Sequence, residues 1–353
     1  MKLNAIYFTP EDWICFREST VFQSRGNSKT GLPKIETFLG AIKTALIKKS
    51  GENPLNLSSE LKEIVGDSEN PGSLRIWGPF IFNKENSEIR HYFPSPNGIY
   101  QVEKGSEFKL MMPHCSVETE INGKTLKLPW IPSSAEGIDT FDGSLIEMNE
   151  VSNLQRKLPF SILQSKEISK ELYQVESKVG IALENERKNA EESMLYTLSY
   201  YRFKPGAGFF VFADEYTAKT ISGLSNVFIG GKTRAVEVDV KTIETEIFNA
   251  SQSSKTALCL VTPSVFSNGA LPSSMRIAGC DIKSANIQRK IAVSGWDLAK
   301  NQPKPIRHYV APGTVYYLEG AFDDKQGISS ESQDLGYGKY FTVDWDYIGR
   351  DLS

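Results

Sequence analysis

Lys2 to Phe8 alternates and then meets Thr9-Pro10, the pattern of a first strand closed by a breaker. Residues 11–20, EDWICFREST, follow as a loop. Pro33 stands where a first helical turn begins, and Ile35, Phe38, Leu39, Ile42, Ala45 and Leu46 recur on one helical face before Gly51. Residues 52–165 are richer in Pro, Gly, Ser and Asn, with short apolar strands such as Leu74 to Phe82 and a hairpin signal at Asn122-Gly123. This stretch is expected to be a long, partly irregular insertion. Glu167 to Val179 predicts a helix, and the aromatic strands Leu195 to Phe203 and Phe209 to Ala213 are expected to form a hairpin through KPGAG, residues 204–208. Asp214 can cap a short helix through Leu224, and Arg234 to Val240 reads as a β-branched strand after the turn Gly230-Gly231. With the insertion omitted, the order strand, helix, strand, strand, helix, strand is the ferredoxin-like arrangement.

From about residue 245 the pattern gives strands at Thr256 to Thr262, Ile277 to Asp281, Ile291 to Val293 and Thr314 to Leu318, enough for a second compact domain. The expected class is therefore α+β, with a ferredoxin-like, RRM-like first domain, 1–244, carrying the insertion 52–165, and a second compact domain, 245–353. No tandem repeat of fixed period and no low-complexity tract is evident.

Composition changes this picture little. The 353 residues are 40% hydrophobic and 24% charged, sufficient for a substantial core. No apolar run approaches a membrane span and MKLNAIYFTPED does not resemble a signal peptide, so no membrane partner and a cytoplasmic location are expected. Cys15, Cys115, Cys259 and Cys280 stand too far apart for a zinc knuckle, and reduced thiols are expected.

Charge is more informative. The net charge of minus 3 argues against a free-standing nucleic-acid binder, yet Arg17 to Lys49 and Lys283 to Arg307 carry plus 5 each, leaving minus 13 elsewhere. Basic stretches on an acidic body fit a subunit that touches a polyanion on one side and protein on others.

The motifs argue mainly by exclusion. NVFIGGKT, residues 226–233, ends like a P-loop but has Asn226 at the first-glycine position and a strand after it; GKT at 123–125 fails in the same way, with Glu118 there. What remains is a tight turn, with Gly230 and Gly231 able to offer backbone N–H groups to a phosphate beside Lys232 and Arg234. His91, His114 and His308 have no metal-pair spacing, and Asp139 and Asp142 lie among turn-forming glycines. No metal or other cofactor is expected. Trp13, Phe16 and Trp296 lie in cationic, loop-like surroundings suited to base stacking, against the commoner role of rings in cores.

FREST with Phe22, ESKVGIALENERKNAEESMLYTLSYYRF (176–203), FIGGKTRAVEV (228–238), LVTPSVF (260–266), SGWDLAKNQPKPIRHYVAPGTVYYLEG (294–320) and LGYG (335–338) together resemble the Cmr-type RAMP subunit that grips the guide-RNA 5′ tag in type III-B CRISPR effectors. The likeness spans nearly the whole chain. It departs at Lys178-Val179, where the family more often has Arg-Thr, and in a less glycine-rich ending. The resemblance implies two RAMP domains of ferredoxin-like fold. Its implied partners are guide RNA, a large polymerase/cyclase-like subunit and a backbone RAMP subunit, with catalysis residing in those other subunits. By position it implies RNA contacts at Arg17, Arg25, Lys178, Arg187, Gly230, Gly231, Lys232, Thr233 and Arg234 in the first domain. In the second domain it implies Arg289, Lys290, Ser294, Gly295, Trp296, Lys304, Gly336 and Gly338.

The expected function is thus a non-enzymatic guide-tag holder. The alternatives are a RAMP endoribonuclease maturing guide RNA through His91, His114 or a tyrosine-lysine pair, and a scaffold that touches protein only. The insertion, with IWGPFIF (76–82) and RHYFPSP (90–96), is expected to be chiefly a protein-contact region.

Overall fold

The computed structural model describes residues 1–16, 33–67, 69–103, 105–121, 123–132, 137–183, 190–231, 234–293, 296–297, 302–303, 305–323, 328–329 and 335–349. The chain runs through β1 (Lys2–Pro10), α1 (Ile35–Ser50), α2 (Ser59–Val65), β2 (Ile76–Glu85), β3 (Glu88–Pro94), the hairpin β4 (Met112–Ile121) and β5 (Lys124–Trp130), and β6 (Leu145–Glu147). It continues with α3 (Met148–Gln155), α4 (Ser165–Glu171), the ribbon β7 (Tyr173–Leu183) and β8 (Ala190–Phe203), β9 (Ala207–Ala213), α5 (Glu215–Ile221), β10 (Asn226–Ile229) and β11 (Arg234–Glu244). These form an antiparallel seven-stranded sheet in the order β10-β11-β1-β9-β2-β3-β6, with the ribbons β4-β5 and β7-β8 outside it.

The remaining strands are β12 (Lys255–Leu260), β13 (Cys280–Asn286), the ribbon β14 (Lys290–Val293) and β15 (Arg307–Val310), β16 (Val315–Glu319) and β17 (Tyr340–Asp344). A second antiparallel sheet has the order β13-β16-β12-β17, with the short strand Arg276–Ile277 beyond β13. Among the described residues no helix follows α5, and no helix is long and apolar enough to cross a membrane.

Period-two alternation decides how these layers stack, because successive strand residues face opposite sides. Ile6 and Phe8 of β1 and Phe209 and Val211 of β9 meet Phe38, Leu39 and Ile42 of α1. The intervening Ala5, Tyr7, Phe210 and Phe212 meet Ala257, Cys259, Val315, Tyr317, Phe341 and Val343 of the second sheet. The outer face of that sheet, Leu258, Leu260, Tyr316 and Leu318, lies under Phe266, Leu271, Met275 and Leu126, the last from β5. Both faces of β9 and β16 are therefore covered, so their sequences GFFVF and VYYL read as unbroken apolar runs.

Three expectations are corrected. The segment expected as a helix over Glu167 to Val179 is the short α4 followed by β7, because QVESKV pairs in register with TLSYYR of β8. The strands β8 and β9 are not a hairpin: β8 pairs with β7, while β9 lies between β1 and β2. At the turn the Lys204 N–H donates to Leu172 O (2.9 Å), which directs the chain from ribbon to sheet. Finally, the region read as an insertion supplies β2, the direct neighbour of β9, and extends the main sheet through β3 and β6.

The helix ends follow the local signals. Gly51 adopts φ 74° and closes α1 through Lys48 O, and Asp214 accepts from Thr217 N at the start of α5.

The two sheets share a plan. The order β11-β1-β9-β2 in the first matches β17-β12-β16-β13 in the second, counted as fourth, first, third and second strand. Thr9-Pro10 closes β1, and Thr262-Pro263 follows β12. The chain beyond then exchanges two backbone hydrogen bonds with the ribbon leading to the third strand, Ile14 with Tyr201 and Ser264 with Val310. Each third strand is entered through Pro-Gly, at Gly206 (φ 83°) and Gly313 (φ 89°).

Candidate nucleic-acid interface

Residues 11–16 are held between the β7-β8 ribbon and the Gly230-Gly231 turn. Ile14 bonds Tyr201 at 3.0 and 2.7 Å, and the Gly231 N–H donates to Cys15 O at 2.8 Å. A Cβ at Gly230 would stand 2.6 Å from Cys15 O, and one at Gly231 2.8 Å from Cys15 Sγ. Both glycines thus permit close backbone approach, and the Gly231 amide is already committed. Gly231, expected to offer its N–H to a phosphate, donates it here to Cys15.

In the ribbon, Gln174 faces Arg202, Glu176 faces Tyr200 and Lys178 faces Leu198, which puts Glu176, Lys178, Tyr200 and Arg202 on one face. Trp13 lies against that face. Lys178 Nζ is 2.7 Å from its ring centroid, the Arg202 guanidinium carbon is 4.7 Å away, and Tyr200 meets it edge-on at 5.8 Å. Arg202 donates to both Glu176 oxygens at 2.5 and 3.1 Å. That hydrogen bond is the main cause holding the Glu176 carboxyl below its ordinary range and Arg202 above its own. Arg234, at the start of β11, places Nη1 2.8 Å from Asp12 Oδ2, while its Nε is buried without a partner.

Three cations and two aromatic rings thus gather around one short segment, against two carboxylates. Guanidinium and ammonium groups neutralise phosphates and rings stack on bases, which suits single-stranded nucleic acid.

Of the sequence-predicted contacts, Lys178, Gly230, Gly231 and Arg234 come together here. Arg289 and Lys290 are exposed at the start of the β14-β15 ribbon, where Ala311 N–H donates to Arg289 O. Trp296 pairs in backbone register with Pro303. Arg17, Arg25, Arg187, Lys232, Thr233, Ser294, Gly295 and Lys304 lie outside the described residues.

Gly336 and Gly338, which the resemblance implies as RNA contacts, take part in packing here. Both are buried; the Gly338 N–H donates to Pro263 O at 2.7 Å, and a Cβ at Gly336 would collide with the Ile76 carbonyl of β2. Between them, Tyr337 stacks on Tyr309 at 4.6 Å and its hydroxyl donates to Glu36 of α1 at 2.5 Å. This glycine pair joins the two sheets' units.

Sequence reasoning missed Asp12, Glu176, Tyr200 and Arg202. A strand reading of 173–179 exposes the last three, because cross-strand partners of Glu176 and Lys178 then become the question.

Of the histidines named for the endoribonuclease alternative, His91 is 4% exposed between the sheets, its Nε2 is 2.7 Å from the Tyr7 hydroxyl, and burial lowers its pKa to about 4. His114 Nδ1 accepts from Ser116 N (3.1 Å) and its ring meets Trp130 edge-on. Asp142 accepts from Gly98 N at 3.2 Å, a turn role, and no group of His, Cys, Asp or Glu among the described residues is arranged to hold a metal.

A family model described as CRISPR-associated protein (Cas_Cmr3) matches residues 6–345. No curated protein matches the chain. Among solved structures, one similar chain belongs to the Type III-B Cmr-beta bound to cognate target RNA and AMPPnP. It is 16% identical, covers 89% of this chain and 86% of its own, and gives a TM-score of 0.50, a likeness of fold. Another belongs to the Csm1-Csm4 cassette in complex with cA4, at 16% identity, 99% and 100% coverage and a TM-score of 0.44.

Proposed function

The chain belongs to the Cas_Cmr3 family of CRISPR-associated proteins, and from that premise we propose that it is a non-catalytic subunit of a type III-B RNA-guided effector. In this reading it binds the 5′ tag of the guide RNA, pairs with the large polymerase/cyclase-like subunit and abuts a backbone RAMP subunit, in the cytoplasm. The matching strand orders of the two sheets support two ferredoxin-like RAMP domains, 1–244 and 245–353. The observation that carries RNA binding is the Trp13 platform, where Lys178 and Arg202 of the ribbon lie over the Trp13 ring and Arg234 pairs with the adjacent Asp12.

Guide-RNA binding by the reconstituted pair of this chain and the large subunit, measured across a salt series, tests the reading. Each neutralised phosphate of a single strand contributes about 0.7 to the salt slope, so Lys178→Ala with Arg234→Ala should flatten it by roughly 1.4. A slope unchanged by both substitutions would move the RNA elsewhere.

A further inference from the structure

Asp12 is a carboxylate paired with one of the cations of the proposed RNA-binding surface. Its Oδ2 takes Arg234 Nη1 at 2.8 Å, with the two side chains 45% and 36% exposed. Arg234 is otherwise underused: its Nε is buried without a partner, although a guanidinium presents five donors in a fork suited to a two-oxygen anion. Asp12 also bears on Arg202, whose guanidinium is held charged first by its bond to Glu176 and further by the charge of Asp12. An ion pair this exposed contributes little to folding, because water screens it. Trp13, the next residue, is the ring under Lys178 and Arg202.

We propose that Asp12 occupies the phosphate subsite of this interface in the RNA-free chain, and that an RNA phosphodiester displaces it from Arg234. The inference rests on the RNA-binding reading and adds to it a competing internal anion. An oxygen pair of a phosphodiester can accept from Arg234 as the carboxylate does, and it brings the release of condensed counterions, which an internal carboxylate does not. The arrangement sets the affinity below what the same cations would give unopposed. It also favours strands that engage Trp13, Lys178 and Arg234 together over a single stray anion.

The test is binding of fluorescein-labelled oligo(U) to the full chain, followed by anisotropy across a salt series, for wild type, Asp12→Asn, Arg234→Ala and the double variant. Asparagine keeps an oxygen that can orient Arg234 but removes the charge. Asp12→Asn should bind roughly 3- to 10-fold more tightly at low salt, with the gain shrinking as screening rises. In the Arg234→Ala background most of that gain should vanish, since the two groups are coupled. Equal or weaker binding by Asp12→Asn would make Asp12 a positioning residue and overturn the proposal. A gain that survives intact without Arg234 would also overturn it, by reducing it to a general charge effect. Failure of the wild-type chain to bind at low salt would sink the RNA reading itself. Firm, salt-dependent wild-type binding without the Asp12→Asn gain sinks only this inference.

Discussion

Gly336 and Gly231 illustrate how one residue type serves two physical ends. A glycine near a basic residue can leave its amide open to a phosphate, or it can let another backbone come close. The sequence presents the same letter for both. At Gly336 the approach is to Ile76 and Trp77 of β2, with φ at +82°, so the residue is spent on packing. Gly336→Ala should therefore destabilise the chain by more than about 1 kcal/mol, through both the clash and the left-handed backbone. Thermal unfolding would register this as a lowered Tm, while RNA affinity well below Tm should stay close to wild type. Lost RNA binding at an unchanged Tm would return Gly336 to the interface. Asp12 and Arg202 were hidden for a related reason: a charged residue in a loop or strand carries no sign of which opposite charge it will meet.

Among elements, the β7-β8 ribbon decides most about the site. QVESKV satisfies a helical pattern and also alternates, and only its pairing with TLSYYR selects the strand. That partner lies some twenty residues downstream, beyond the reach of local periodicity. The α1 and α5 helices, with Gly51 and Asp214 at their ends, were readable because their signals are local. Thr9-Pro10 with Thr262-Pro263, and Pro205-Gly206 with Pro312-Gly313, are the visible traces of the shared plan of the two sheets, too short and unevenly spaced to stand out as a repeat. The ribbon's functional weight rests on Trp13, one of whose neighbours is Lys178 at 2.7 Å from the ring centroid. Base stacking on an aromatic residue contributes about 1–3 kcal/mol, so Trp13→Ala should weaken oligo(U) binding by roughly 5- to 150-fold. Anisotropy titration measures this directly. Unchanged affinity would assign the ring to packing against Lys178, Tyr200 and Arg202 only.

Across the whole molecule, stability depends on two sheets sealed face to face, and His91 is a titratable group caught between them. It packs edge-on against Phe210 at 4.9 Å and bonds Tyr7, whose own pKa is raised, chiefly by burial and secondarily by Asp239. Burial favours the neutral imidazole, lowering its pKa from an ordinary value near 6.5 to about 4. The sign follows from proton counts. Between these values the unfolded chain holds a proton that the folded chain refuses, so the folded state is undercut progressively as pH falls through that window. Above pH about 6.5 both states are neutral and the contribution is flat; below about 4 both are protonated and the loss is complete. At about 1.4 kcal/mol per pKa unit, the cost is about 3 kcal/mol across the window. Carboxylates elsewhere titrate in the same range, so the measurement must isolate the imidazole. Urea unfolding of wild type and His91→Gln, which does not titrate, between pH 8 and 4 provides the difference. The wild-type advantage, or deficit, relative to His91→Gln should shift against the wild type by about 3 kcal/mol on acidification. A difference that stays constant with pH would mean that the imidazole reaches solvent in the folded state, and would reopen His91 to the acid–base role that its burial denies.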